Sequence, residues 1–131
     1  MIQKAGEDMK RFLLLLPVLC ICLCACSHDA KAKVEKITPE QAKQMMDQEE
    51  VIIVDVRSEE EYAQGHILHS LNVPLDQITD MKNYANVDDT LLVYCRSGNR
   101  SAQASEQLIK NGFIHVYDFG GIMEWPYDIV K

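Results

Sequence analysis

Apolar residues recur along this chain in short blocks separated by polar turns, and the period changes from block to block. Residues 51–54 are an unbroken apolar run, and 90–94 is a β-branched threonine followed by one; both are too short for a buried helix, which predicts central strands covered on both faces. Residues 34–37, 71–73 and 114–117 are further strand candidates, the middle one stopped by Pro74. Between the strands the period lengthens. Thr38 predicts a helix N-cap, with Pro39 at the first position and Gln41 completing a capping box; Ala42, Met45 and Met46 then recur at helical spacing as core positions. Residues 58–61 repeat the capping-box pattern and predict a short helix ending near Gly65, and residues 76–81 predict a helical turn. A helix over 101–110 buries a stripe of Ala102, Ser105, Leu108 and Ile109, and Asn111-Gly112 supplies its left-handed C-cap. Strands alternating with helices predict an α/β domain with a mainly parallel central sheet flanked by helices. Ligands bind such sheets outside the carboxyl ends of the strands. No internal repeat or low-complexity segment interrupts the pattern.

The N-terminal segment follows another rule. Lys4, Lys10 and Arg11 form a basic region, and residues 12–23 are apolar with Pro17 inside. Leu23-Cys24-Ala25-Cys26 resembles the bacterial lipobox, with leucine at minus three and a small residue before the cysteine to be lipidated. Residues 12–26 number 15, short of the ~20 that a spanning helix needs. The expected organisation is a lipoprotein signal peptide over 1–25, a lipidated Cys26 with a polar tether over 26–33, and one folded domain over 34–131. The mature protein is then exported and lipid-anchored to the extracytoplasmic face of a bacterial membrane.

Cleavage changes both the cysteine count and the charge. Of five cysteines, Cys20, Cys22 and Cys24 leave with the signal and Cys26 carries lipid, so Cys95 is the one free thiol of the mature chain. That excludes an internal disulfide and a cysteine-rich zinc site, and disfavours a thioredoxin-like dithiol mechanism. The cleaved segment takes three basic and two acidic residues from a chain of net charge −7, leaving −8. So acidic a chain repels nucleic acid and anionic head groups, and the membrane contact falls to the lipid itself. A monomer is expected.

Against this background one stretch stands out: Cys95-Arg96-Ser97-Gly98-Asn99-Arg100-Ser101. A cysteine ends a predicted buried strand, and a short loop with two arginines and a glycine leads into a helix. Loop N–H groups converging there, with the helix dipole, favour an anion, so Cys95 is a candidate thiolate nucleophile. An inert buried cysteine requires neither arginine beside it.

The loop resembles the active-site loop of the rhodanese (sulfurtransferase) family. The likeness continues elsewhere in the family's order: Asp55-Val56-Arg57 with the acidic stretch to Tyr62, Gly65-His66-Ile67, Asn72-Val73-Pro74-Leu75, and Gly120-Gly121 with Trp125. His69 and Ser70 depart from it, because the family has small residues there. The resemblance implies a rhodanese-like three-layer domain. It also implies sulfur transfer by double displacement: Cys95 takes the outer sulfur of a thiosulfate-like donor as a persulfide and passes it to a thiophilic acceptor. Arg96 and Arg100 would bind the anionic end of the donor, with Arg100 also bracing the loop. The N–H groups of Ser97, Gly98 and Asn99 would stabilise the sulfur, and Ser101 would cap the helix or donate to the sulfur. Asp55 and Arg57 are expected as a paired support below the loop, His66 as a buried structural residue and Trp125 as core packing. No metal or organic cofactor is needed; His66 and His69 alone do not make a metal site. The four residues between Cys95 and Arg100 are one fewer than in tyrosine-type phosphatase loops, which disfavours phosphatase or arsenate reductase activity. A non-enzymatic persulfide carrier, or a partner-binding module, is the alternative.

Overall fold

A computed structural model describes residues 31–131. The predicted signal peptide, Cys26 and most of the tether lie outside the described residues. The elements run β1 (Glu35–Lys36), α1 (Pro39–Gln48), β2 (Ile52–Asp55), α2 (Glu59–Gln64), β3 (Leu71–Asn72), a 3-10 helix (Leu75–Asn83), β4 (Thr90–Cys95), α3 (Asn99–Lys110), β5 (His115–Gly121) and a last 3-10 turn (Ile122–Glu124). The five strands form one sheet in the order β1-β5-β4-β2-β3, and every neighbouring pair is parallel. Among the described residues, no helix is long and apolar enough to cross a membrane.

Side-chain alternation along β4 divides the core. Leu91, Val93 and Cys95 face a layer made by α3 and the longer 3-10 helix, together with Val54, Val116, Ala104, Leu108, Ile78 and Met81. Leu92 and Tyr94 face the other layer, against Ile53, Ile67, Phe119 and Ala42 of α1, with Met45 and Met46 packed alongside. The three-layer α/β arrangement expected from sequence is therefore present. Both capping boxes form. Thr38 Oγ1 accepts from Gln41 N at 3.2 Å while Gln41 returns the bond at 2.9 Å, and Ser58 with Glu61 repeats the exchange at 3.2 and 3.0 Å.

Differences from the sequence reading at α3 and β5 bear on the site. Helix α3 starts at Asn99 rather than Ser101, because Gly98, at φ +105°, turns the chain into the helix inside the loop. Its fully buried stripe is Ser101, Ala104, Ser105 and Leu108, with Ala102 and Ile109 only half-buried. The helix is rotated because Ser101 Oγ is drawn down to a buried carboxylate of β5, Asp118, at 2.7 Å. Strand β5 begins one residue late and runs on to Gly121, since Cys95 of β4 is paired with Gly121 across the sheet. Gly120 and Gly121, noted in the sequence only for the family resemblance, are the last two residues of the strand.

Candidate active site

At the carboxyl end of β4 the chain makes a three-residue connection, Arg96-Ser97-Gly98, into α3. Cys95 is 1% exposed and belongs to the core, but its sulfur is not in purely hydrocarbon surroundings. Gly98 N–H donates to Sγ at 3.0 Å. No side chain caps α3, so its dipole and first amides face the loop. Ser97 and Asn99 make no bond to the sulfur; of the three loop amides expected there, the one from Gly98 arrives. Gly98 holds its left-handed conformation because it has no Cβ.

The glycines of β5 form the floor of the loop. A Cβ on Gly121 would lie 2.1 Å from Arg96 O and 2.6 Å from the Cα of Ser97, so nothing larger than glycine lets the two backbones meet. Met123 N–H donates to Arg96 O at 3.2 Å and ties the following turn to the same loop. Ser101 has neither expected role. It does not cap the helix or bond the sulfur; its hydroxyl joins Asp118, with Gly98 O also at 3.0 Å. Asp118 also accepts from Gly120 N at 3.0 Å, so one buried carboxylate couples the helix start to the glycine floor. Sequence reasoning missed Asp118. Its one signal was an acidic residue at an inward position of an apolar strand.

The second pillar is the connection from β2 to α2. Arg57 binds the buried Asp55 carboxylate through Nε and Nη2, the shortest contact being 2.6 Å, and Nη2 also donates to Gly65 O at 2.7 Å. Burial alone would lower the Arg57 pKa, but the hydrogen bonds and charge of Asp55 outweigh it and raise it. The guanidinium lies 5.7 Å from the centre of the Tyr94 ring. Tyr94, itself pushed up by burial and by Asp55, accepts from Ile67 N and bonds Ser70 Oγ, each at 3.1 Å. Asp55 and Arg57 thus form the expected paired support. Ser70, where the family has a small residue, takes part in the same network. Its neighbour His69 is exposed at φ +67°, the single non-glycine residue at positive φ among those described.

Arg100 takes a bracing role, as expected, rather than standing free for an anion. Its two terminal nitrogens meet the two oxygens of Glu61 at 2.7 and 2.9 Å, which clamps α3 to α2. The Arg100 hydrogen bonds hold the Glu61 carboxyl at about 2, against an ordinary 4.5. The sequence reading assigned Glu61 to a helix cap and missed this second task. Arg96 is exposed and makes no ion pair among the described residues, which leaves it as the free cation of the loop. His66 is half-buried rather than buried. Its ring stacks on Tyr62 at 3.7 Å, Nδ1 lies 2.9 Å from Tyr62 O, and its backbone pairs with Val130, so its role is structural. Trp125 packs on Phe119 and Tyr127, at ring separations of 5.6 and 4.9 Å. A larger hollow of about 710 Å³ opens beside Trp125, Met46 and Tyr127, but no residue of the cysteine loop lines it. The buried cysteine, the unpaired Arg96 and the uncapped start of α3 come together at the loop instead.

The Rhodanese-like domain family matches residues 38–127, a span that contains every element of this site. The chain belongs to the rhodanese-like family. The thiosulfate sulfurtransferase GlpE of Pseudomonas putida is 34% identical over 93 residues, covering 71% of this chain and 84% of that protein. The uncharacterized protein YqhL of Bacillus subtilis is 38% identical over 74 residues, which cover 56% of this chain and 59% of that protein. Among solved structures, SSP1007 of Staphylococcus saprophyticus superposes with a TM-score of 0.67 at 34% identity, over 74% of this chain and 99% of that one.

Proposed function

We propose that this protein is a sulfurtransferase that moves sulfane sulfur through a persulfide on Cys95. The observation that carries the reading is the Gly98 amide directed at Sγ, at the start of a helix that no side chain caps. Together they aim a hydrogen-bond donor and the positive end of a helix dipole at the place where an anionic donor would meet the sulfur. In the first step the Cys95 thiolate attacks the outer sulfur of a thiosulfate-like donor. The sulfur–sulfur bond of the donor breaks, and sulfite leaves with the bonding pair. In the second step an acceptor thiolate attacks the outer persulfide sulfur, and Cys95 leaves as thiolate. Arg96 offsets the charge of the departing anion, while Arg100, held by Glu61, fixes the distance between α2 and the loop. Anaerobic treatment with thiosulfate is expected to add one sulfur atom to Cys95, detected by mass spectrometry, and turnover with thiosulfate and cyanide is expected to vanish in Cys95→Ser. An unmodified Cys95 would sink the mechanism. The near-complete burial of Cys95 favours, as a second reading, a carrier that holds its sulfur and releases it slowly. A persulfide that forms but fails to turn over would select that reading.

We further propose that the domain is tethered outside the cytoplasm through a lipid on Cys26, supported by the basic and apolar pattern ending in Leu23-Cys24-Ala25-Cys26. Metabolic labelling with a fatty acid is expected to tag the wild type and to leave Cys26→Ala untagged.

A further inference from the structure

A recess of about 310 Å³ opens beside the cysteine loop, lined in part by Arg57, Glu61, Arg96, Met123 and Ile129. Two of these are large apolar side chains left in solvent: Met123 is 69% exposed and Ile129 49%. Neither position is accidental to the site. The amide of Met123 is bonded to Arg96 O, next to the nucleophile. Ile129 lies over Gly65, close enough that a Cβ there would come within 2.9 Å of its Cδ1, and Gly65 O is the carbonyl that Arg57 binds. The charges of the recess are unequal. Arg57 is matched by Asp55 and Glu61 by Arg100, which leaves Arg96 as a cation in excess on a protein of net negative charge.

Resting on the persulfide reading above, we propose that this recess docks the sulfur acceptor, and that the acceptor is a cysteine of another protein flanked by apolar side chains and a carboxylate. A thiosulfate-sized anion needs only the loop and Arg96. Two exposed apolar side chains lining one recess with a free guanidinium instead complement a short peptide segment that is both apolar and acidic. The segment sets its thiolate against the outer sulfur of Cys95. That attack forms the new sulfur–sulfur bond, breaks the bond to Sγ and returns the electron pair to Cys95, leaving the persulfide on the partner.

The test uses the full chain loaded with thiosulfate and freed of excess donor. Single-turnover discharge is then followed to three probes: a capped Leu-Asp-Cys-Leu peptide, a capped Leu-Lys-Cys-Leu peptide and 2-mercaptoethanol, compared at equal thiolate concentration. The acidic peptide is expected to discharge the persulfide about ten-fold faster than the lysine peptide. Met123→Asn and Ile129→Asn, which remove apolar surface without adding charge beside Arg96, are each expected to cut the advantage of the acidic peptide over 2-mercaptoethanol to about two-fold or less, with loading and discharge to 2-mercaptoethanol unchanged. Equal rates for all three probes, or a preference that survives both substitutions, would overturn the docking proposal alone. A chain that takes up no sulfur from thiosulfate would overturn it together with the sulfur-transfer reading.

Discussion

Two strand-to-helix connections lie side by side at the carboxyl edge of the sheet, and they solve the same problem in opposite ways. Between β2 and α2 the N-cap is Ser58, in extended conformation, with a complete capping box from Glu61. Between β4 and α3 the N-cap is Gly98, left-handed and without any side-chain cap. The first connection satisfies its free amides from within and adds a buried ion pair, so it is finished as a piece of structure. The second leaves its amides to a sulfur atom and to whatever binds there. Local satisfaction is withheld at the cysteine loop, beside a connection that a capping box and a buried ion pair complete. The Glu61–Arg100 contact joins the two.

Three substitutions probe this contrast. The largest expected effect is on the finished side. Asp55→Asn leaves the buried Arg57 guanidinium without its charge partner, and about 3–5 kcal/mol of stability should be lost in urea denaturation. A loss under 1 kcal/mol would mean that Asp55 is not what holds Arg57. Gly121→Ala strikes the open side from beneath. Its Cβ would overlap Arg96 O, so the loop must shift, at a cost of about 1–3 kcal/mol and with greater relative loss of sulfur loading than of folding. Unchanged loading at full stability would show that the glycine floor does not set the loop.

Glu61→Gln should cost least, about 1 kcal/mol, because the contact is partly exposed. Its pH signature is more informative than its size. The folded-state pKa of Glu61 is depressed, to about 2 from an ordinary 4.5. Its contribution is therefore complete above about 4.5 and is lost as the pH falls from there towards 2. Stability of the wild type should approach that of Glu61→Gln across that window; curves that stay parallel would remove Glu61 from the clamp.

How much of this was legible beforehand depends on the range of the interaction. Both capping boxes, the two central strands and the glycine C-cap near Gly112 were readable because each is decided within a few residues. Cys95 was readable as a candidate because strand, loop and helix follow one another without a break. The N-terminal pattern is likewise a property of the sequence, although those residues lie outside the described structure.

What the linear chain left open was decided by contacts between distant segments. Ser101 became an anchor instead of a cap because Asp118 waits on the adjacent strand, and the partner that Arg100 braces against was settled because Glu61 reaches it from α2. Gly121 lengthened β5 because its missing side chain makes room for Arg96 O. Charge and hydrogen-bonding capacity are written at each position, but the partner that uses them is chosen only when packing brings two segments within about 3 Å.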